Sequence, residues 1–461
     1  MQAQEEARRR SVLRPLIFAL LAAVSLLGLA AGWLRSPGEA ELSRWAELYR
    51  RSGDSIVRLH YLAETRGLAG GRFGGLLVLA RNSYALSRRV DPGDPRSQVS
   101  LALLSYEAGE ESAARSLLSA AATQRSEGPD RDAVVATLAI ALSDTPSLEE
   151  IARARAFLLG LAPGRLFLAD AYQRAGRPDL AGQEREAQAR RVEAFLPVWL
   201  VMVGCCGLLL LAGMVGALVW TGREVARRLK GVRRPAPQAL PPAPWDMREA
   251  VEALILLLFL GLAASTVVVL LRPGAGGEAL LALPVVVGGV GAIAWVAVAS
   301  PGRLGLGWRT DHWLRDVWTG LVVSGVVVIP VLLLEQALQG SMQERPYGHP
   351  LIPVFAGATG WLGKVSLAAF ACAIIPAIEE AVFRGILYRA LRRHWSVAGA
   401  ALASAIVFAV AHGSAPTLLP IAILGVLYAY LYETSGSLVA PAVAHGAFNA
   451  FNLAIVLALV G

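Results

Sequence analysis

Six polar residues in the last quarter of the chain have side chains that could do chemistry together. They are Glu379, Glu380, Arg384, His412, His445 and Asn449. A carboxylate beside a histidine can take a proton from water, and fixed N–H donors can stabilise the oxyanion that forms when water attacks a carbonyl. The set therefore indicates acid–base chemistry on a carbonyl compound.

Three of these charges stand in one apolar helix, in the sequence Glu379-Glu380-Ala-Val-Phe-Arg384. A charge near the middle of a bilayer costs about 2.5 to 3.5 kcal/mol. Glu380 and Arg384 are four residues apart and can neutralise each other, whereas Glu379 lies about 100° around the helix. A structural ion pair with an accessory carboxylate is one interpretation. The histidines and the asparagine on neighbouring apolar helices favour a functional cluster.

The depth of each residue in its helix indicates whether the side chains can meet. At about 1.5 Å per residue, Glu379 and His412 lie at one level, roughly 20 Å from the helix ends. By the same count, His445 and Asn449 are shallower, at about 10 to 16 Å. Convergence of the site therefore requires helix tilt or a deep cavity open to the cytoplasm.

Membrane-spanning helices must position these residues. Of the 461 residues, 55% are hydrophobic, and the mean hydropathy of +0.51 exceeds what a globular core requires. The first apolar run, about residues 16–34, follows a basic stretch and is long enough to span, so we interpret it as an uncleaved anchor. Further runs of spanning length start near Phe195, Val251, Ala279, Val317, Leu362, Val397, Pro416 and Leu438. The predicted fold is an all-α, polytopic bundle of about nine spans.

Basic residues mark one side of the membrane. They cluster at the N-terminus, in 222–248, and in the loops around Arg309 and Arg392, which share a side when spans are counted alternately. That side, with the N-terminus, is predicted to be cytoplasmic. The Ala-, Gly- and Arg-rich composition favours a bacterial plasma membrane. Topology accounts for the net charge of +8, and no nucleic-acid-binding motif accompanies it, so no nucleic-acid partner is expected.

The region between the first two spans is predicted to be an extracytoplasmic helical domain. Its segment 104–109 (LSYEAG) recurs as 171–176 (AYQRAG), and an alanine follows each glycine by five residues, at Ala114 and Ala181. The offset is about two 34-residue tetratricopeptide periods, so degenerate repeats that bind a protein partner are one interpretation. A plain helical bundle is the other. Gly53 is predicted to break a helix.

Composition divides the chain into five segments. Residues 1–35 are the anchor, 36–193 the helical domain, and 194–222 the second span. A basic, proline-rich cytoplasmic linker follows at 223–248. Residues 249–461 form the bundle that carries the polar cluster.

Three motifs in this bundle, in order, carry a family resemblance. Glu-Glu-x-x-x-Arg at 379–384, Phe-x-x-x-His at 408–412 and His-x-x-x-Asn at 445–449 resemble the CAAX prenyl protease type II family, also called the CPBP or Abi family. The resemblance covers about residues 249–461. It implies a glutamate-dependent intramembrane endopeptidase that hydrolyses a peptide bond of a membrane-associated protein or peptide.

The resemblance also implies roles for the residues. Glu379 and His412 would bind and deprotonate the attacking water, and His445 and Asn449 would donate hydrogen bonds to the oxyanion. Glu380, held by Arg384, would support the site and assist with the water.

Other interpretations of the sequence stay open. Zinc held by Glu379, His412 and His445 is an alternative, but the sequence lacks His-Glu-x-x-His, and a mechanism without a cofactor is predicted. Cys372 lies in a plain apolar helix and is interpreted as a small core residue. The main alternative in another class is a non-catalytic membrane scaffold or immunity-type protein that binds partners through the helical domain.

Overall fold

The structure is a computed structural model. It describes residues 2–34, 39–65, 74–124, 129–231, 240, 243–271, 280, 282–300, 305–309, 311–341, 361–412 and 417–460. Within these ranges the chain is helical and contains no strand, which confirms the all-α prediction.

Nine helices precede the C-terminal bundle. They are α1 (Gln2–Leu34), α2 (Glu39–Thr65), α3 (Gly74–Val90), α4 (Pro95–Glu107), α5 (Glu111–Gln124), α6 (Pro129–Leu142), α7 (Leu148–Leu159), α8 (Gly164–Arg174) and α9 (Pro178–Leu229) among the described residues. The later helices are α10 (Met247–Leu271), α11 (Leu283–Ala299), α12 (Trp313–Ser341), α13 (residues 361–392), α14 (Val397–Ala411), α15 (Leu418–Ser435) and α16 (Val439–Val460).

The chain divides into two compact units. One comprises Met1–Ser36 and Cys205–Leu453, and the other comprises Pro37–Gly204 and Ala454–Gly461. Helix α9 is continuous from Pro178 to Leu229, so the predicted start of a span at 194 is not a helix boundary. The five segments drawn from composition otherwise stay predictions.

Several helices have the length and composition of membrane spans. In the described ranges five qualify in full: Val203–Leu229, Met247–Val268, Trp313–Glu335, Gly363–Arg392 and Leu418–Ser435. Four shorter apolar helices are Arg14–Ala30, Leu283–Ala299, Val397–Ala411 and Val439–Ile455. These helices coincide with the predicted spans, which confirms a polytopic helical membrane protein. The orientation of the N-terminus and the identity of the membrane stay predictions.

The recurring sequence segments in the unit of residues 37–204 form the same turn twice. Gly109 and Gly176 have φ angles of 76° and 71°, the left-handed region that favours glycine. Each turn is followed by an alanine, Ala114 or Ala181, that is fully buried. In both turns the amide after the glycine donates to a carbonyl five residues back. The helical prediction is confirmed, and assignment to the tetratricopeptide family stays a prediction.

The predicted break at Gly53 is wrong, because Gly53 lies inside α2. A side chain at this position would clash with Tyr84, whose Cε1 atom would lie 2.7 Å from an added Cβ. The Tyr84 hydroxyl donates to the neighbouring Asp54 carboxylate at 2.6 Å. The glycine is therefore there for close packing between α2 and α3 rather than for a turn.

Helix α1 packs as part of the membrane bundle. Arg14 donates two hydrogen bonds to Glu252 of α10, at 3.0 and 2.5 Å, and Phe18 packs on Trp295 of α11 at 5.0 Å between ring centroids. The Glu252 side chain is only 5% exposed, so Arg14 neutralises a carboxylate that lies inside the bundle. That α1 is an uncleaved anchor stays a prediction.

Helices α13 to α16 approach closely where glycines leave room. An added Cβ at Gly446 of α16 would lie 2.1 Å from the carbonyl oxygen of Cys372 in α13, and one at Gly425 of α15 would lie 2.8 Å from the Ala405 Cβ of α14. Small residues allow helix backbones to pack at short range in a membrane. This packing brings the polar residues of three helices together.

Candidate active site

Helix α13 carries a completely buried ion pair. Glu380 and Arg384 both have an exposed fraction of 0%, and Arg384 Nη1 lies 2.9 Å from Glu380 Oε1. Arg384 Nη2 donates to the Gly425 carbonyl of α15 at 3.0 Å. The guanidinium also lies over the rings of Phe408 and Tyr428, at 4.5 and 5.4 Å. The predicted pairing of Glu380 with Arg384 is therefore present, and it ties α13 to α14 and α15.

His445 of α16 lies against both glutamates. Its Nδ1 atom is 3.1 Å from Glu380 Oε1, and its Nε2 atom is 3.6 Å from Glu379 Oε2. The Glu379 side chain is 15% exposed, whereas that of Glu380 is 0% exposed. Of the two adjacent carboxylates, Glu379 is thus the one that water or a substrate can reach.

His445 contacts both glutamates, although counting residues at the α-helical rise placed His445 closer to the membrane surface than Glu379. Helix α13 is not uniformly α-helical, because Phe370–Ile374 and Ala381–Tyr388 are π-helical. A π turn contains more residues than an α turn, so it advances less along the axis for each residue. Counting at the α-helical rise therefore places Glu379 too far from the end of α13. Single π segments occur frequently at functional sites.

His412 caps the C-terminal end of α14, and one ring nitrogen is already occupied. Its Nδ1 atom lies 2.8 Å from the carbonyl oxygen of Phe408. Because a carbonyl can only accept, Nδ1 carries the hydrogen, and the neutral ring leaves Nε2 as an acceptor. His412 and Glu379, both described residues, form no direct hydrogen bond with each other. A joint action of the two residues on water requires the water to lie between them.

Asn449 is bonded to the backbone of α13. Its Nδ2 atom donates to the carbonyl oxygen of Ala371 at 2.8 Å, within the first π segment. One of the two amide hydrogens is used in this bond, and the other remains for a further acceptor. Asn449 therefore has a structural contact in addition to the role that the family resemblance implies.

Glu433 connects the ends of α13 and α15 away from the histidines. The Tyr388 hydroxyl donates to Glu433 Oε2 at 2.6 Å, and Arg392 Nη2 lies 3.0 Å from Glu433 Oε1. Gly436 then ends α15 in a left-handed conformation with a φ of 71°. The sequence Glu433-Thr-Ser-Gly436 therefore forms the end of α15 and the turn that follows it.

Sequence reasoning missed Tyr428 and two backbone carbonyls. The Tyr428 ring stacks on the His445 ring, with centroids 5.2 Å apart and planes 19° apart. The carbonyls of Gly425 and Ala371 accept from Arg384 and Asn449. No sequence motif marks these groups, since Tyr428 is one of several tyrosines in an apolar helix and every residue has a carbonyl. Only the packing of α13, α15 and α16 identifies them.

The structure offers no evident metal centre in the part of the chain that it describes. No group of three or more His, Cys, Asp or Glu side chains there could hold a metal ion. Glu379, His412 and His445, the predicted alternative zinc ligands, are all described residues. Cys372 is half-buried near the start of α13, and its carbonyl, not its thiol, is the group that Gly446 approaches.

Any hydrolysis that this cluster carries out is expected to survive metal chelation. Purified protein treated with EDTA or phenanthroline should keep the activity of an untreated sample, since the polar cluster lacks a ligand set for zinc. The measurement is turnover before and after treatment, with metal content determined in parallel. Loss of turnover that returns specifically with added zinc would contradict this expectation.

The segment that carries the cluster is similar to a known protein family. Residues 361–451 match the model of the family described as type II CAAX prenyl endopeptidase Rce1-like. The matched segment contains all six candidate residues and is shorter than the predicted resemblance over 249–461. No curated protein and no solved structure matches the chain.

Proposed function

We propose that this chain, with its segment similar to type II CAAX prenyl endopeptidases, is an intramembrane endopeptidase that cleaves a membrane-associated protein or peptide. The observation that carries the proposal is the contact of His445 with two carboxylates of unequal exposure. Glu380 is buried and paired with Arg384, so it would support the site, whereas Glu379 is partly accessible and would react. A scaffold needs no such asymmetry.

Glu379 is the general base in the proposed mechanism. A water molecule lies between its carboxylate and the unprotonated Nε2 of His412, whose Nδ1 hydrogen is committed to the Phe408 carbonyl. Glu379 takes one proton as the water oxygen adds to the peptide carbonyl carbon, and the carbonyl π electrons move to its oxygen. Glu379 then returns the proton to the leaving amine when the C–N bond breaks.

The oxyanion is stabilised by donors from α16. His445, when both of its nitrogens carry hydrogen, donates through Nε2, while Nδ1 remains on Glu380. Asn449 donates through the amide hydrogen that the Ala371 carbonyl does not use. Donors fixed in a dry site need no reorganisation as charge develops, which is why they are effective.

The substrate is proposed only by class. An extracytoplasmic helical unit of the tetratricopeptide type would suit a protein partner. A binding unit of this kind favours a membrane protein other than a prenylated tail as the substrate.

Replacement of the histidine and the asparagine tests the proposal in purified, liposome-embedded protein. His412→Ala should remove nearly all turnover, because the attacking water loses one of its two hydrogen-bond acceptors. Asn449→Ala should lower kcat by about 10²-fold to 10³-fold, the loss expected for one oxyanion donor. The readout is cleavage of a fluorogenic transmembrane peptide or a farnesylated CAAX peptide.

The matched control is His394→Ala, because His394 is exposed and lies outside the cluster. It should cleave at the wild-type rate. If His412→Ala also cleaved at that rate, His412 would have no part in activating the water. If the wild-type protein cleaved neither peptide, a non-catalytic scaffold would be favoured.

A further inference from the structure

Tyr428 of α15 is in direct contact with the centre of the polar cluster. It is 1% exposed, and its ring stacks on His445 at 5.2 Å. The Arg384 guanidinium lies 5.4 Å from the centre of the same ring. Tyr428 follows Gly425, whose carbonyl accepts from Arg384, by three residues, so both lie on one face of α15. One tyrosine therefore contacts both the cation that holds Glu380 and the histidine that links the glutamates.

The hydroxyl of Tyr428 is buried and has no hydrogen-bond partner among the described residues. An unsatisfied buried donor destabilises the folded protein, and buried Tyr hydroxyls usually find a partner. Two other buried tyrosines of the same bundle follow that rule. Tyr388 donates to Glu433 at 2.6 Å, and Tyr432 donates to the Leu306 carbonyl at 2.9 Å.

A phenylalanine would provide the same contacts without this cost. The ring alone stacks on His445 and covers Arg384, and neither contact uses the oxygen atom. A second polar atom of the cluster, Glu380 Oε2, is likewise buried without a partner within the described part of the chain. Polar atoms left unsatisfied in a native site call for an explanation, and a catalytic role is one that such atoms are known to have.

We propose that the Tyr428 hydroxyl donates a hydrogen bond to the carbonyl oxygen of the bound peptide as that oxygen becomes the tetrahedral oxyanion. Tyr428 is then a further catalytic residue, beside His445 and Asn449, and the inference rests on the proposed endopeptidase function. The tyrosine keeps its proton throughout. The proton of the attacking water goes to Glu379, and the carbonyl electron pair goes to the oxygen that Tyr428 contacts.

Tyr428→Phe separates this role from a structural one. Because the variant loses only an unsatisfied hydroxyl, its thermal midpoint in detergent should equal or exceed that of wild type. Its kcat on the fluorogenic transmembrane peptide should fall by about 10²-fold to 10³-fold, as for one oxyanion donor. A fall in kcat without a fall in stability is the expected result.

Tyr432→Phe is the matched control, because its hydroxyl is satisfied by the protein itself. It should lower the thermal midpoint and leave the turnover of each folded molecule unchanged. Two results would overturn the inference: Tyr428→Phe with kcat within a factor of two of wild type, or Tyr428→Phe that loses stability as Tyr432→Phe does. The second would show that a buried water satisfies the hydroxyl in the resting protein.

The same assay keeps this inference distinct from the proposed function. If His412→Ala loses turnover and Tyr428→Phe does not, the endopeptidase proposal stands and the role of Tyr428 falls. If the wild-type protein itself shows no turnover, the endopeptidase proposal falls, and a catalytic role for Tyr428 falls with it.

Discussion

Glu379→Gln should lose up to about 10⁴-fold in turnover, the upper range for a positioned general base. Glutamine has nearly the same shape as glutamate but cannot accept the proton of the attacking water. The Glu379 side chain is 15% exposed and lies 3.6 Å from His445 Nε2, so the amide can occupy the same place. Removal of a partly buried charge from a membrane helix should leave stability unchanged or raised. Turnover in liposomes and the thermal midpoint in detergent are measured on the same preparation.

Glu433→Gln is the control for this experiment. Glu433 is also a buried glutamate of the bundle, but its carboxylate is bound to Tyr388 and Arg392 rather than to a histidine. Its replacement should lower stability without lowering the turnover of each folded molecule. Equal losses of turnover in Glu379→Gln and Glu433→Gln would mean that Glu379, like Glu433, serves the structure and is not the general base.

Arg384→Ala should destabilise the protein by about 3 to 5 kcal/mol, because it leaves Glu380 buried without its partner. Glu380 and Arg384 are both 0% exposed, so solvent cannot replace the lost guanidinium. The bond to the Gly425 carbonyl and the contacts with two aromatic rings are lost as well. We expect poor accumulation in the membrane and a lower thermal midpoint, measured on matched amounts of purified protein.

Two comparisons isolate the buried charge as the cause. Arg190→Ala removes an arginine that is 65% exposed and is paired with Glu186, itself 68% exposed, and exposed ion pairs contribute at most about 1 kcal/mol. The double variant Arg384→Ala with Glu380→Gln should regain part of the lost stability, because no uncompensated charge remains. An Arg384→Ala protein as stable as wild type would contradict the pairing.

The general architecture could be predicted from the sequence because membrane burial leaves a strong signal. Runs of apolar residues long enough to span identified the helices, and the start predicted at Val397 for α14 is the start in the structure. The exception is α9, which begins at Pro178, before the apolar run, and continues through it to Leu229. Hydropathy indicates where a chain passes from water into lipid, and a helix can continue through that boundary.

The residue types of the site were also predictable, but their contacts were not. The motif spacing indicated that Glu380 pairs with Arg384, which follows from helix geometry alone. The contacts of His445 with the two glutamates and the π segments of α13 have no counterpart in the periodicity of the sequence. The bond of Asn449 to Ala371 and the stacking of Tyr428 on His445 depend on how helices dock. Such contacts require the tertiary structure.

The most direct test of the account uses the membrane proteins of the host cell, so the substrate need not be identified beforehand. Membranes that contain equal amounts of wild-type or Glu379→Gln protein are incubated in water enriched in ¹⁸O, and new carboxyl termini are identified by mass spectrometry. Hydrolysis places one oxygen atom from water in each new terminus. The account predicts a discrete set of ¹⁸O-labelled termini within or beside membrane spans in the wild-type sample, and their absence with Glu379→Gln. The same labelled termini in both samples would contradict the claim that Glu379 activates water for peptide hydrolysis.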